Sequence, residues 1–218
     1  MGTPVKASEL SLRERKIADA VARRPGAADE IDAFVAATFD VIASSGSLDP
    51  QIRDILDAAN LSRQVFYRHF SSKDELLLVV LDESRQIVAR YLAKRIARVS
   101  GGPARLQAWI DGVLRQAHDA EASRRTRPFV ITGNRLQMQF PLEYEGSKRV
   151  LVDPLVALIS EGVACGEFVS TDPYGDAQVI YDATFARQNR FIADATVPTR
   201  RDTDQIFNFA LRALGAIQ

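Results

Sequence analysis

Apolar residues recur every three to four positions along most of this 218-residue chain. That period is typical of α-helices with one buried face. Residues 28–45 give the cleanest example, and Gly46 follows as a helix stop. The apolar stripe of this segment consists of Ile31, Phe34, Val35, Thr38, Val41 and Ile42. The pattern predicts an all-α protein.

Caps, glycines and prolines divide the remaining chain into further helical segments. We expect the second helix to begin at Asp49-Pro50, an acidic cap followed by proline. The other expected helices are 62–69, 72–99, 103–122, 142–165, 173–195 and 202–216. Residues 129–140 (FVITGNRLQMQF) mix β-branched residues with helix formers, so the pattern leaves a short helix and a short strand open.

Residues 51–70 (QIRDILDAANLSRQVFYRHF) predict two short helices joined by a tight turn. Asn60 tolerates the positive φ of a helix end, and Ser62 is a good N-cap for the next helix. Phe66 and Phe70 lie four apart and would anchor this second helix to the core. The outward positions are then Arg63, Gln64, Tyr67 and Arg68. Such a helix suits entry into a DNA major groove.

The run NLSRQVFYRHFSSKDELL resembles the end of the DNA-binding domain of tetracycline-repressor-type (TetR family) transcriptional regulators. The residues that carry the resemblance are Asn60, Leu61, Ser62, Phe66, Tyr67, His69, Phe70 and Lys73. The resemblance covers roughly residues 29–82 in detail. It implies a three-helix helix-turn-helix DNA-binding domain at 28–75 and a helical ligand-binding and dimerisation domain at 76–218, after an extension at 1–27.

The resemblance also implies which residues contact an operator in double-stranded DNA. These are Arg53, Ser62, Arg63, Gln64, Tyr67, Arg68, His69 and Lys73. Arg63 and Gln64 would read base edges, whereas Tyr67 and His69 would bond to phosphates and Lys73 would grip one at the start of the following helix. The family commonly opens its second helix with Thr residues, but this chain has Gln51 and Ile52 there, so one backbone contact is lost or moved.

In the family, the second domain binds a small effector and forms the dimer. The candidate effector contacts are Trp109, Val113, Phe129, Met138, Phe140, Tyr144 and Phe185, with Arg135 among the polar groups that could orient the ligand. For each aromatic residue alone, ordinary core packing is the competing interpretation. Because this set has few charges, we expect a mainly apolar effector that releases a repressor from its operator. A homodimer is expected through the last two helices, where Phe185, Phe209 and Ile217 lie off the main stripes.

Charge alone would not have suggested DNA binding. The chain has no net charge, and residues 1–75 carry ten Lys or Arg against twelve Asp or Glu. Any DNA affinity must therefore come from local placement. Within residues 1–28, the run SLRERKIADAVARR (11–24) could form a short amphipathic helix. We interpret the whole extension as a partly ordered tail. In the alternative interpretation, it adds phosphate or minor-groove contacts through Arg13, Arg15, Lys16, Arg23 and Arg24.

Other functions have less support in the residues. The sequence has no nucleophile–base pair, phosphate loop or metal-ligand spacing, so we expect no enzyme activity, no metal and no cofactor. One cysteine, Cys165, and the lack of a membrane-length apolar run favour a cytoplasmic protein. A small-molecule carrier or an interaction protein whose helix-turn-helix no longer binds DNA stays open as an alternative.

Overall fold

The computed structural model describes residues 10–45, 49–118 and 120–216, and these residues form helices joined by short connections. The helices in chain order are α1 Leu12–Val21, α2 Ala27–Ser45, α3 Ile52–Ala59, α4 Arg63–His69, α5 Lys73–Ile96, α6 Gly102–Arg115, α7 Ala120–Gln139, α8 Pro141–Ala164, α9 Pro173–Ala193 and α10 Arg200–Ala213. The all-α prediction is confirmed. No described helix is both long enough and apolar enough to cross a bilayer.

The chain folds into two compact units. The N-terminal unit contains the described residues up to Arg85 together with Arg124–Ser147, and the C-terminal unit contains Gln86–Ser123 and the residues from Lys148 onwards. The boundaries of these two compact units therefore differ from those of the predicted functional domains, 28–75 and 76–218. Those limits stay a prediction about which residues serve which role.

Three phenylalanine rings form the centre of the N-terminal unit. Phe34 of α2 meets Phe66 of α4 edge-on, with ring centroids 5.4 Å apart, and meets Phe70 in the same way at 5.9 Å. All three side chains are fully buried. Edge-to-face pairs of this kind stabilise a fold beyond the effect of area burial alone. The predicted anchoring of α4 through Phe66 and Phe70 agrees with this packing.

Residues 10–24 are not a partly ordered tail, because they form a capped helix. The Ser11 hydroxyl accepts from the Glu14 amide, and the Glu14 carboxylate accepts from the Ser11 amide, which completes a capping box. The Leu12 amide donates to Asp82 Oδ2 at 2.7 Å, and Arg13 Nε lies 2.8 Å from Asp32 Oδ1. These bonds attach α1 to α5 and α2. The helical interpretation of this segment therefore agrees with the structure.

The start of α3 differs from the prediction. Gln51, not Asp49, is its N-cap, and the side chain of Gln51 makes no capping bond. The Asp49 carboxylate lies 2.8 Å from Lys73 Nζ of α5 and 3.4 Å from Arg135 of α7. Asp49 therefore joins distant segments of the N-terminal unit, and two cations compete for the oxygen atoms that a cap would use. The Gly46 stop predicted after α2 lies outside the described residues.

The segment between residues 102 and 139 also departs from the prediction. Helix α6 ends at Arg115, not Ala122, because the amides of Gln116, Ala117 and His118 bond to carbonyls only three residues back and tighten the chain into a turn. Residues 129–140 are not a strand: they belong almost entirely to α7, which begins at Ala120 and contains Pro128. A proline inside a helix removes one backbone bond but does not prevent the helix here.

The C-terminal unit packs α6, α9 and α10 around a second apolar cluster, with parts of α5 and α8. Trp109 is 1% exposed in this cluster. Helix α8 is followed by Gly166 at a φ of 74°, a left-handed conformation that favours glycine. Asp172 caps α9, but α10 begins at Arg200, two residues before the predicted start, because the Asp202 carboxylate accepts from both the amide and the hydroxyl of Thr199.

The ring cluster leads to a stability prediction. Phe34→Ala removes the ring that both Phe66 and Phe70 contact, and it should lower the free energy of unfolding by about 3–5 kcal/mol. Urea titration followed by far-ultraviolet circular dichroism measures this loss. Leu142→Ala is the control, because Leu142 is in the same unit but 83% exposed, and its effect should stay below about 0.5 kcal/mol. A loss below about 1 kcal/mol for Phe34→Ala would show that the cluster is not the centre of this core.

Candidate nucleic-acid interface

The turn between α3 and α4 has the geometry that its residues predict. Asn60 ends α3 with φ 52° and ψ 40°, the left-handed conformation that asparagine tolerates better than most residues. Ser62 then caps α4, because its hydroxyl oxygen accepts from the Val65 amide at 3.3 Å. Leu61 is partly buried between them. These local features set the direction in which α4 leaves the turn.

One face of α4 is exposed along its whole length. Arg63, Gln64, Tyr67 and Arg68 are exposed, whereas Phe66 between them is fully buried. Tyr67 is 54% exposed although its ring packs edge-on against Phe66 at 5.2 Å. The exposed groups are two guanidinium forks, an amide and a phenol, all of which can bond to DNA bases or phosphates. The structure therefore brings these four predicted residues together on one surface.

Two further predicted contacts lie outside this face. The side chain of Arg53 on α3 is 87% exposed, and its Nε atom is 3.7 Å from Asp57 Oδ2, an i,i+4 surface pair that costs little to separate. Ser62 is exposed, and its oxygen accepts the capping bond. Its hydroxyl proton is still able to donate to a phosphate.

His69 is placed differently from the other predicted DNA contacts. Its side chain is only 3% exposed, and its Nε2 atom lies 2.6 Å from Glu30 Oε2. Arg24 pairs with the same carboxylate, and Arg68 Nη1 lies 3.7 Å from it. In this position the imidazole cannot reach a phosphate. We therefore correct its assignment: His69 positions the end of α4 through Glu30.

These contacts change the ionisation of Glu30. The hydrogen bond with His69 and the interactions with Arg24 together lower the pKa of the Glu30 carboxyl group, although burial acts in the opposite direction. The folded protein therefore favours the charged carboxylate.

Lys73 is also held by an acid. Its Nζ atom lies 2.8 Å from Asp49 Oδ1, and its side chain is 24% exposed. Burial raises the pKa of Asp49, but the bonds from Lys73 and Arg135 outweigh this effect, and the net shift is downward. A phosphate at this helix start would have to share Lys73 with Asp49. The first turn of α5 is capped by its own residues: Ser72 Oγ accepts from the Glu75 amide, while the Glu75 carboxylate accepts from the amide and hydroxyl of Ser71.

Lys16 is a residue that sequence reasoning did not assign to α4. Its Nζ atom donates to the His69 carbonyl at 2.8 Å and lies 2.5 Å from Glu75 Oε1. The same atom is 4.9 Å from the centroid of the Phe70 ring. A cation at the C-terminal end of a helix satisfies an unpaired carbonyl and complements the helix dipole. Because 53 residues separate Lys16 from His69, no local sequence signal could reveal this contact.

The predicted effector contacts do not form one group. Trp109, Val113 and Phe185 belong to the apolar cluster of the C-terminal unit, whereas Phe129, Phe140 and Tyr144 belong to that of the N-terminal unit. Met138 is 78% exposed, so its expected inward position is wrong. The expected polar contact Arg135 instead pairs with Asp49 and Asp74. Tyr181 belongs to the same cluster as Trp109, Val113 and Phe185, and its ring stacks on Phe185 with centroids 4.3 Å apart.

The Glu30 contacts predict a specific acid response. A carboxylate whose pKa is lowered on folding contributes stability above its unfolded value of about 4.3 and loses it as the pH falls towards the folded value. Glu30→Gln should therefore reduce stability at pH 7 and flatten the fall in unfolding free energy below about pH 5. Urea titrations between pH 3 and pH 7 measure both effects. Glu143→Gln, at an exposed site of the same unit, should leave the curve parallel to that of the unchanged protein. If Glu30→Gln behaves in the same way as this control, the Glu30 pairing does not contribute to stability.

Comparison with known proteins agrees with this geometry. Residues 34–80 match the family model described as bacterial regulatory proteins, tetR family. No curated protein sequence matches the chain significantly.

Solved structures share the fold over most of the chain at low sequence identity. RolR in complex with resorcinol has a TM-score of 0.68 and 15% identity, over 87% of this chain and 89% of that one. The fatty acid degradation regulator FadR from Bacillus halodurans has a TM-score of 0.65 and 17% identity, over 84% of this chain and 94% of that one. FadR from Bacillus subtilis in complex with stearoyl-CoA has a TM-score of 0.59 and 17% identity, over 86% and 99%.

The family match contains the end of the turn, the exposed face of α4 and the aromatic residues that hold it. A structure described as a bacterial regulatory protein in the tetR family, from Rhodococcus RHA1, has a TM-score of 0.57 and 17% identity, over 87% of this chain and 98% of that one. Residues 34–80 therefore match the tetR family of bacterial regulatory proteins, and the chain shares its fold with structures described as regulators of that family.

Proposed function

We propose that this protein is a homodimeric transcriptional repressor that binds a palindromic DNA operator and is released by a small, mainly apolar effector. The observation that carries the proposal is the exposed face of α4, where Arg63, Gln64 and Tyr67 lie on a helix held by buried Phe66 and Phe70. This surface combines groups that read bases with groups that bind phosphates. A rigid support below it supplies the preorganisation that specific binding requires.

The exposed residues divide by chemistry into two roles. The Arg63 guanidinium can pair with O6 and N7 of guanine, and the Gln64 amide with N6 and N7 of adenine, each worth about 1–3 kcal/mol of discrimination. We assign Tyr67, Arg68, Arg53 and Ser62 to the phosphate backbone, which fixes the position of the protein without reading sequence. Lys73 can join them if a phosphate displaces Asp49.

A twofold dimer through α9 and α10 is consistent with the exposed apolar groups on these helices. Val179 of α9 is 56% exposed and Phe209 of α10 is 49% exposed. Ala183 and Ala186 lie on the same exposed face of α9 as Val179, and such small side chains allow helices to approach closely. Two recognition helices about 34 Å apart would read a palindrome one helical turn at a time. Of the other two residues expected at this interface, Phe185 packs against the apolar cluster of the C-terminal unit, and Ile217 lies outside the described residues.

We place the effector against the aromatic group of the C-terminal unit. Trp109, Tyr181 and Phe185 have ring centroids between 4.3 and 6.4 Å apart, and Val113 belongs to the same cluster. Gln188 lies on the same face of α9, is 2% exposed, and its carbonyl oxygen has no hydrogen-bond partner within the described protein. An apolar effector with one donor group would suit this set. The ligands of the two similar regulators, stearoyl-CoA and resorcinol, are both amphipathic.

The release mechanism that we propose is a shift between two states of the dimer. Residues 73–85 of α5 belong to the N-terminal unit, which contains α4, and residues 86–96 belong to the C-terminal unit, where we place the effector. One helix therefore belongs to both units. An effector that binds more tightly to a state with the wrong spacing of recognition helices would release DNA. It can shift the equilibrium only by its difference in affinity for the two states.

Fluorescence anisotropy tests the proposed function directly. Duplexes from the region upstream of the protein's own gene are compared with scrambled duplexes at two salt concentrations, and sedimentation gives the number of chains per duplex. Saturable binding that requires the palindrome, with two chains bound to each palindromic duplex, supports the proposal. Equal binding to both duplexes that modest salt abolishes would indicate non-specific phosphate contact. If distant operators also fail, the alternative of a carrier without DNA binding gains support.

Two substitutions on α4 should separate base reading from phosphate binding. Arg63→Ala should lower operator affinity by about 1–3 kcal/mol and relax preference at one base position. Tyr67→Phe removes only a hydroxyl group and should weaken binding to operator and scrambled duplexes by the same factor. Anisotropy against a panel of single-base operator variants measures both. Equal losses of specificity from the two substitutions would contradict these roles.

The single tryptophan makes the effector site observable. All tryptophan emission comes from Trp109, which lies 6.2 Å from the Phe185 ring by centroids. Titration with stearoyl-CoA and with resorcinol should show that any compound that releases the operator duplex also changes Trp109 emission, with the same half-saturation. Phe185→Ala should weaken both responses together, whereas glucose should produce neither. DNA release without an emission change would place the effector elsewhere.

A further inference from the structure

Helix α1 precedes residues 34–80, the part of the chain that the family model matches, yet it is firmly attached to the N-terminal unit. Arg13 pairs with Asp32 of α2, and Lys16 pairs with Glu75 of α5 while also bonding to the last turn of α4. The backbone positions that carry the outer side chains of α1 are therefore held close to the end of α4. A tail would not hold them in this way.

The basic residues of this segment fall into two classes. Arg13, Lys16 and Arg24 pair with carboxylates within the protein. Arg15 and Arg23 are exposed, and neither has an ion pair in the part of the chain that the structure describes. The acids of the N-terminal unit thus neutralise one class and leave the guanidinium groups of the other available to a partner.

Arg15 and Arg23 line a groove that also reaches α4. The groove has a volume of about 330 Å³, and its lining includes Lys16, Arg68 and His69 besides these two arginines. Asp19 supplies the carboxylate in that lining. Two arginines without an ion pair in the described chain, Arg15 and Arg23, therefore share one surface depression with the paired cations Lys16 and Arg68, although the chain as a whole carries no net charge. Arg68 is also on the exposed face of α4, so the groove and that face are continuous.

A row of arginines beside a recognition helix has a natural partner in the DNA backbone. The walls of the major groove carry phosphates, and a helix lying in that groove brings its neighbouring residues close to them. Arginine forks match the phosphate oxygens in geometry as well as in charge. A free small anion would need the same groups, but the continuity with α4 favours the phosphates that flank the bases read by α4.

We propose that α1 and the turn that follows it form a second DNA-contacting element, in which Arg15 of α1 and Arg23 of the turn bind backbone phosphates next to the site read by α4. This inference rests on the proposed function, since it requires that α4 itself binds DNA. Arg15 and Arg23 contribute affinity and salt dependence but no base preference. Asp19 opposes the contact, because its carboxylate faces the same phosphates.

The test is the salt dependence of binding by the full-length chain. Each phosphate contact contributes about 0.9 to the slope of log affinity against log salt. The double variant Arg15→Gln/Arg23→Gln should lower the magnitude of that slope by about 3–4 per dimer. At about 0.1 M salt it should weaken binding to operator and scrambled duplexes by the same factor, more than about tenfold.

A matched control separates this effect from a general loss of positive charge. Arg98→Gln/Arg149→Gln removes two exposed arginines from the C-terminal unit and should leave the slope nearly unchanged. Arg15→Lys/Arg23→Lys keeps the charges and should retain most of the slope. Asp19→Asn should act in the opposite direction and tighten binding to both duplexes, a gain that misfolding cannot produce.

The outcomes separate this inference from the proposed function. If the unchanged protein shows no palindrome-dependent binding, the proposed function itself fails. If the unchanged protein binds its operator but Arg15→Gln/Arg23→Gln has the same slope and affinity, only the role of α1 is wrong. The same conclusion follows if the double variant alters base preference without altering the slope, or if Asp19→Asn has no effect.

Discussion

The contact of the Phe34 ring with Phe66 and Phe70 is the constraint on which the reading surface depends. A helix as short as α4 has little stability of its own, because forming the first turn of a helix is unfavourable. Its structure must come from packing, and the two buried rings supply that packing on one side. The opposite side is then presented in a fixed orientation. The direction of the exposed groups is thus set by aromatic contacts that never meet a ligand.

Carboxylates around this core pair with some of the basic side chains and leave others exposed. Glu30, Asp49 and Glu75 hold His69, Lys73 and Lys16 in place, and each of these carboxyl groups has a lowered pKa. For Glu75, burial opposes the shift, but hydrogen bonds from Lys16 and Ser71 outweigh it. These acids explain how a unit without excess positive charge can present a basic surface. The internal pairs neutralise the positioning cations, and the arginines at the surface keep their charge.

Local rules predicted the turn because its decisive contacts are short in sequence. Asn60 and Ser62 act within a few positions, and the structure places them as expected. The spacing of Phe66 and Phe70 predicted the buried side of α4, although it could not name their partner Phe34 on α2. The failures have a different origin. Asp49 pairs with Arg135 across 86 residues, and α6 ends early in a tightened turn that carries no glycine or proline signal. Met138 and His69 were assigned by analogy, and their exposure depends on tertiary packing that no local pattern contains.

On α4, the exposed residues and the residues that pack in the core are different ones, and this separation affects how such a protein changes over evolutionary time. Arg63 and Gln64 are exposed and make no side-chain hydrogen bond or ion pair within the described chain, whereas Phe66 and Phe70 carry the packing. Replacement of an exposed side chain that has no structural partner usually alters stability by no more than about 0.5 kcal/mol. Mutation can therefore explore new operator sequences at these two positions almost without a folding penalty. The same separation makes them the natural positions at which to redesign the sequence that the protein reads.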